Sequence, residues 1–344
     1  MDLIIKPTEK CNFKCTFCSS TKIADNHTSI LDLDYVFQFL KRFPQTNTII
    51  INGGDPLMMD PSYYWQIIEY LDQHDLPASI SLTTNLWPFY KKPEKWLDLF
   101  LHERVGVSTS FQYGAGRLKG DLSVFTEKDF WNVSNMMLEK VGYRPEFIAV
   151  ITEENEHTVL RTVELAKKMG VVCKINYAMA SGDQDNPYRL SKMYEKYVEI
   201  YEAGLHHWEQ NTLDAIDALN NKNVQCSLAR NCDSGIRAIN PEGDYYSCGS
   251  IGDDREYPIN FVKEMNGEFF TPLSDAPELF SMKNSCFTCP MFSICNGCRK
   301  TIKDIKKFNM VEDHCQHMKQ IAPRILKMAN INSEVTPYIN ESIN

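Results

Sequence analysis

The residue types best suited to chemistry come early: Cys11, Cys15 and Cys18 are spaced CxxxCxxC in the stretch Cys11-Asn12-Phe13-Lys14-Cys15-Thr16-Phe17-Cys18. Three soft thiolates on one short loop can hold three irons of a [4Fe-4S] cube and leave the fourth iron open to a ligand from outside the protein. The same trio, with His27 as a remote fourth ligand, could instead bind structural zinc, which accepts three thiolates and one imidazole. A second motif ends an apolar run, where Ile49-Ile50-Ile51-Asn52 leads into Gly53-Gly54-Asp55-Pro56. Two glycines let backbone approach a ligand closely, and an acid held beside them can accept a hydrogen bond from a cationic amine. The plainer alternative is a strand-ending turn. Thr83-Thr84-Asn85 and Ser108-Thr109-Ser110 supply small hydroxyl and amide groups at later strand ends. Such groups suit the ribose and carboxylate of a nucleoside-like cofactor, and equally suit ordinary turns.

Eight of the twelve cysteines fall late in the chain: Cys226, Cys232, Cys248, Cys286, Cys289, Cys295, Cys298 and Cys315. CxxC pairs place two sulfurs on one metal, and eight thiolates make two full sets of four, for iron-sulfur clusters or for zinc. Cys173, the one cysteine outside both groups, reads as a buried apolar filler.

The elements that must position these groups are legible in the periodicity. From Met1 to about Met179, β-branched runs alternate with helical stretches, the pattern of βα units around a parallel sheet. Strands are expected near Leu3–Lys6, Thr48–Asn52, Ser79–Thr84, Val105–Phe111, Phe147–Thr152 and Val172–Tyr177, with helices near Leu33–Phe43, Ser62–Gln73, Pro93–His102, Glu127–Lys140 and Glu156–Met169. Asp32 and Thr126 are expected N-caps and Gly170 a C-terminal stop. The fold class is therefore α/β, a partial (β/α)6 barrel whose site belongs at the C-terminal ends of the strands. Residues 187–221 read as a helical bridge whose Tyr188, Tyr194, Tyr197 and Tyr201 form a packing face. Between Cys226 and Cys315 the periodicity fails, and a segment with so little apolar pattern needs cross-links to hold its shape. Met318–Ala329 reads as helical, with Pro323 at a start or kink, and the tail as frayed.

At 344 residues, with 43% hydrophobic and 24% charged residues, the composition is that of a soluble globular chain with a substantial core. A net charge of −9, from 36 basic and 45 acidic residues, argues against a sequence-blind nucleic-acid surface. No stretch approaches the ~20 apolar residues of a membrane span. The cysteine motif lies too near Met1 to leave room for a signal peptide. Close CxxC spacing without an export signal points to metal rather than disulfides, and so to a reducing cytoplasm.

These motifs together resemble the radical S-adenosylmethionine (SAM) superfamily. Its signature CxxxCxΦC, with Φ aromatic, is matched by Cys11, Cys15, Phe17 and Cys18. The resemblance implies a first [4Fe-4S] cluster on Cys11, Cys15 and Cys18 whose open iron is chelated by SAM. Phe17, Gly53, Gly54, Asp55, Thr84, Asn85, Ser108 and Ser110 would line the cofactor site. Asp55 stands where the family usually has glutamate, and Thr152 or Asn155 would lie near the cofactor. The late cysteines resemble the SPASM extension, which implies two auxiliary [4Fe-4S] clusters, one on Cys226, Cys232, Cys248 and Cys298 and one on Cys286, Cys289, Cys295 and Cys315. Asn296-Gly297 put two residues where that family usually has three. The implied domains are 1–185 (barrel), 186–225 (bridge), 226–320 (irregular, cluster-stapled SPASM domain) and 321–344 (helix end and tail).

By the same resemblance the expected substrate is a ribosomally made peptide or protein side chain, to be oxidised or crosslinked. The expected partners are a one-electron donor such as flavodoxin or ferredoxin and, since the barrel begins at Leu3 with no preceding peptide-binding domain, a separate peptide-binding protein or none. Anaerobic sulfatase-maturating enzymes share the cysteine layout but carry aspartate where Gly249 stands, so sulfatase maturation is not expected. Asp244, Asp253 and Asp254 lie close by in sequence and could replace that acid. The alternatives are a small-molecule, sugar-like dehydrogenase or dehydratase, and a metal-stabilised binding protein without catalysis.

Overall fold

The computed structural model of the chain describes residues 1–20, 23, 24, 27–180, 188–220, 235–268, 289, 291 and 299–329. The chain divides into two compact units. The first is drawn from Met1–Ile148 and Cys232–Asp275, with a short piece at Ser181–Asp185; the second from Ala149–Ala180, Asn186–Asn231 and Ala276–Asn344.

In the first unit the strands are β1 (Asp2–Ile5), β2 (Thr48–Ile51), β3 (Ser79–Thr83), β4 (Val105–Ser110), the start of β5 (Phe147–Ile151), β7 (Ile236–Ile239) and β8 (Tyr245–Tyr246). They lie side by side in the order β5-β4-β3-β2-β1-β7-β8, an open sheet rather than a closed barrel. Pairing is parallel from β1 to β5, with Leu3 opposite Ile49, Ile80 opposite Val105 and Thr109 opposite Phe147. Each expected strand lies within one residue of its reading, because alternation of buried and half-buried residues is strict, as in Leu3, Ile5, Ile49 and Ile51 against Ile4 and Ile50. The expectation of irregular structure after Cys226 needs correction here. β7 joins β1 in parallel and β8 turns back on β7, so the sheet extends beyond the six βα strands. β7 is four residues long and carries a buried arginine, so neither its length nor its polarity announces a strand.

The helices of this unit follow their caps. Asp32 accepts from Asp34 N and starts Leu33–Arg42, which buries Leu33, Val36, Phe39 and Leu40. Thr126 and Asp129 close a capping box at the start of Glu127–Val141. The segment expected as one helix, Pro93–His102, is a 3-10 turn, Pro93–Lys95, followed by the short helix Leu97–Phe100, and a further helix Trp87–Lys91 precedes it. Arg237 of β7 and Glu264 of the helix Phe261–Met265 form a buried ion pair at 2.6 Å.

The second unit holds the rest of β5, the helix Val159–Met169, β6 (Cys173–Tyr177) and the helices Leu190–Glu202, Gln210–Leu219, Arg299–Lys307 and Val311–Lys327. Gly170 ends its helix in the left-handed region at φ +71. Tyr188, Tyr194 and Tyr197 are buried, so the tyrosine stripe is a packing face. Glu209 caps Gln210–Leu219, accepting from Asn211 N and Thr212 N, and its carboxylate also takes Ile175 N of β6 at 2.8 Å. Burial holds that carboxyl above its ordinary value, against those hydrogen bonds. Lys300 donates to Ala180 O and Asp304, and Tyr177 meets Thr301, fixing Arg299–Lys307 against the end of β6. The C-terminal helix begins at Val311, not near Met318, and runs through Pro323. Cys315 is therefore helical, and Cys173 is buried with its thiol 3.4 Å from Trp208 O.

Candidate cluster and cofactor site

The three-thiol loop is stitched to the sheet by backbone. Beyond β1 and β2 the parallel pairing continues, with Gly54 N donating to Thr8 O at 3.0 Å and Asp55 N to Lys10 O at 2.9 Å. A Cβ on Gly54 would sit 2.1 Å from Lys10 O and 2.3 Å from Glu9 O, and Gly53 holds φ +117 with Thr8 O 2.6 Å from where its Cβ would be. The glycine pair is thus required by the loop that carries Cys11, whatever else approaches it. The other side of that loop is held by the segment after β4: Lys14 N donates to Leu118 O at 2.8 Å and Thr16 N to Gly116 O at 2.9 Å.

Asp55 is buried, and both its oxygens are engaged. They accept from Leu57 N at 2.9 Å, Thr84 Oγ1 at 2.9 and 3.0 Å and Asn85 N at 2.8 Å. Asp55 thereby caps the 3-10 turn Pro56–Met58 and joins the ends of β2 and β3. Burial pushes its carboxyl up to about 6, opposed by the hydrogen bonds from Asn85, Leu57 and Thr84. Asn85, fixed by Asp55, turns its side chain to the thiol loop, with Nδ2 2.8 Å from Asn12 Oδ1 and 3.9 Å from Cys11 Sγ. Phe13 N lies 3.3 Å from the same sulfur. Burial, with the nearby Asp55 carboxylate, raises the Cys11 thiol above its ordinary value.

Arg117 is one residue that the motif reading missed. It is buried after β4, donating to Ser110 Oγ at 2.9 Å and Gln112 Oε1 at 2.8 Å, with its guanidinium 5.4 Å from the Phe17 ring centroid. Burial lowers its pKa, and Cys15, Cys18, Cys11 and Asp55 act together to raise it. One buried cation therefore lies within electrostatic reach of all three thiols and would balance the charge of thiolate ligands. Its sequence signal, a lone arginine in Gly114-Ala115-Gly116-Arg117 past a strand, is weak. Ser110 and Phe17 join this group, whereas Ser108 pairs with Thr83 at 3.0 Å. In the second unit, Asn155 closes its own loop onto Thr152 N and Val150 O.

At the C-terminal ends of β1 and β7 the buried Lys6 meets Asp253 and lies 3.9 Å from Glu9. Desolvation lowers Lys6, opposed by Glu9, with Cys18 and Cys248 near enough to contribute. Asp244 lies 3.5 Å from Arg255. His27 Nδ1 is 3.2 Å from Glu242. Among the described residues no three His, Cys, Asp or Glu side chains gather closely enough to hold one metal ion. A [4Fe-4S] cube asks for something different, a separate iron for each thiolate. The three thiols on one stitched loop, within electrostatic reach of one buried cation, fit that donor set.

Of the auxiliary set, Cys248 is half-buried just before the helix Gly249–Asp254, and Cys289 and Cys315 are half-buried in the second unit. Cys226, Cys232, Cys286, Cys295 and Cys298 lie outside the described residues.

The family model described as the radical SAM superfamily matches residues 5–191, more than half of the chain. A curated relative, the GTP 3',8-cyclase of Staphylococcus epidermidis, is 25% identical over 218 residues, covering 59% of this chain and 55% of its own. The chain thus spans about half the length of the curated relatives it matches. Among solved structures, anSMEcpe with bound AdoMet aligns at a TM-score of 0.72 and 18% identity, covering 98% of this chain and 97% of its own. Streptococcus suis SuiB bound to precursor peptide SuiA aligns at 0.57 and 16%, covering 86% of this chain and 71% of its own.

Proposed function

Because the chain belongs to the radical SAM superfamily, we propose that it uses SAM to abstract hydrogen from a side chain of a ribosomally made peptide or protein, oxidising or crosslinking it. The observation that carries the chemistry is the loop bearing Cys11, Cys15 and Cys18, whose backbone is tied to Gly54 and Asp55 on one side and to Gly116 and Leu118 on the other. A [4Fe-4S] cluster held by Cys11, Cys15 and Cys18 would supply the one-electron cleavage of the sulfonium C–S bond of SAM that hydrogen abstraction needs.

The chain's own groups position and shield. Thr8 and Lys10 hold the loop through their carbonyls, Asn85 and Phe13 N donate toward the Cys11 sulfur, and Arg117 offsets thiolate charge. Gly53, Gly54, Thr84, Ser108 and Ser110 are the proposed cofactor contacts, with Phe17 and Asn85. Asp55 acts through Thr84 and Asn85, whose positions it fixes. Cys226, Cys232, Cys248 and Cys298 are proposed to bind one auxiliary cluster and Cys286, Cys289, Cys295 and Cys315 another, within a SPASM domain at 226–320 that follows a barrel at 1–185 and a bridge at 186–225. Their role would be to take an electron from the substrate radical.

The peptide reading is supported by fold likeness reaching across most of the chain to SuiB, solved with its precursor peptide. A small-molecule substrate is the second reading, favoured by the relatives named GTP 3',8-cyclase. Anaerobic reconstitution tests the chemistry. Reduced protein should change its electron paramagnetic resonance spectrum on adding SAM and release 5′-deoxyadenosine, and Cys15→Ala should abolish both. A spectrum indifferent to SAM would overturn the assignment. Mass spectrometry of candidate peptides incubated with enzyme, SAM and dithionite separates the two substrate readings.

A further inference from the structure

Arg255 ends the helix Gly249–Asp254, and its backbone sits in the left-handed region at φ +55. That conformation is strained for a long side chain, so the surroundings must hold it. Part of the hold is visible. Arg255 N donates to Gly252 O at 3.1 Å, and Nη1 pairs with Glu242 at 2.9 Å and Asp244 at 3.5 Å, both in the turn that joins β7 to β8. The other two nitrogens, Nε and Nη2, are buried, and neither has a hydrogen-bond partner among the described residues.

The chain itself shows what this edge of a guanidinium takes. In Arg237, Nε and Nη2 together hold the Glu264 carboxylate, at 3.0 and 2.6 Å. The two donors are coplanar and parallel, matching the two oxygens of a carboxylate. A buried edge of this kind without acceptors is costly, and a ligand of matching shape would complete it.

Arg255 lies where the strand ends gather polar groups. Ile4 of β1 packs with Cys248, the residue before the helix, and Lys6, two residues on and so on the same face, meets Asp253 within it. Lys6 Cβ is 3.3 Å from where a Gly53 Cβ would be, and Gly53 O accepts from Ser20, two residues past Cys18. Lys6 therefore ties both the thiol loop and the Cys248 helix to the C-terminal end of β1. Burial is the main cause that lowers the Lys6 pKa, and Arg255 lies near enough to lower it further. The acids of this group limit the charge of a ligand. Glu242, Asp244, Asp253 and Glu9 already pair with Arg255 and Lys6, so a dianion such as phosphate would meet four carboxylates. A carboxylate adds one charge and offers two coplanar oxygens.

We propose that the Nε/Nη2 edge of Arg255 binds a carboxylate of the substrate peptide, the side chain of an Asp or Glu. The proposal rests on the peptide reading above and names a residue class that the peptide carries.

The test uses reconstituted protein with propionate as the carboxylate probe, propionamide as its neutral match and inorganic phosphate as the competing anion, all at one ionic strength. At a concentration tenfold above its Kd, propionate should raise the wild-type Tm by about 2 °C, and propionamide should not. Arg255→Lys keeps the charge without the fork and should lose most of that rise. Arg255→Gly, which suits the left-handed backbone and so keeps the fold, should lose all of it. The mass-spectrometric screen, run with matched peptide pools carrying either Asp and Glu or Asn and Gln in their place, should yield product from the acidic pool alone. A wild-type Tm indifferent to propionate, a rise kept in full by either variant, a larger rise with phosphate, or product from the amide pool would overturn the proposal. No product from either pool would strike the peptide reading, while the Tm series would still decide whether Arg255 holds a carboxylate.

Discussion

The Thr84 hydroxyl donates to the Asp55 carboxylate at 2.9 Å, joining the ends of β2 and β3 through an acid that is buried from every side. Asp55 has its pKa raised from 3.8 to about 6, chiefly by burial. The folded chain therefore holds this proton more tightly than the unfolded chain, and stability falls as pH rises from about 4 to about 6, then levels off. The size is at most about 3 kcal/mol, two pKa units at 1.36 kcal/mol each. Asp55→Asn should flatten that slope, read by urea unfolding of metal-free protein at several pH values. A variant that keeps the slope would show another group to be its source.

Gly54→Ala tests the stitching of the thiol loop. Its Cβ would meet the Lys10 and Glu9 carbonyls at 2.1 and 2.3 Å, and backbone cannot yield there without losing the bonds to Thr8 and Lys10. The expected cost is about 3 kcal/mol, at the upper end of overpacking. A lower Tm and poorer iron incorporation at the N-terminal site should appear together. An unchanged Tm would contradict the geometry.

Arg237 and Glu264 make a buried bidentate pair, with contacts from Nε and Nη2 of 3.0 and 2.6 Å. Glu264→Ala removes the carboxylate from a buried guanidinium and should cost about 3–5 kcal/mol. The double change Arg237→Met/Glu264→Met should recover most of that loss. Denaturant titration of the three proteins decides, and a double variant no better than the single one would count against the pair.

Iron content tests the late cysteines. Wild-type protein reconstituted without oxygen should hold ~12 irons per chain, three cubes of four. Cys248→Ala or Cys315→Ala should each lower this to ~8 while leaving SAM cleavage without peptide intact. Stoichiometric zinc in the wild type, or no change in iron in either variant, would refute the auxiliary assignment.

What sequence reveals here is what depends on near neighbours. Asp32 and Thr126 cap the helices expected of them, since a cap needs only the next three residues. The strand ends are equally local, because Leu3 and Ile5 alternate with half-buried neighbours. Arg117, Asn12 and Lys6 escaped notice because their roles depend on partners far along the chain: Cys15 for Arg117, Asn85 for Asn12, Asp253 for Lys6. β7 was hidden for the same reason, as a four-residue segment becomes a strand through Leu3 and Ile5 of β1. Pro323 reads locally as a start or a kink, yet one helix runs through it from Val311, held by burial of Met318, Ile321, Ala322 and Ile325. The Gly53-Gly54 pair was legible as a close approach, but the approach that the geometry requires is by the chain's own carbonyls.

The bonds from Gly54 and Asp55 to Thr8 and Lys10 have a consequence for how the protein would acquire iron. A loop anchored this way owes its conformation to the sheet rather than to iron, so the N-terminal thiols should await their inorganic cargo already arranged.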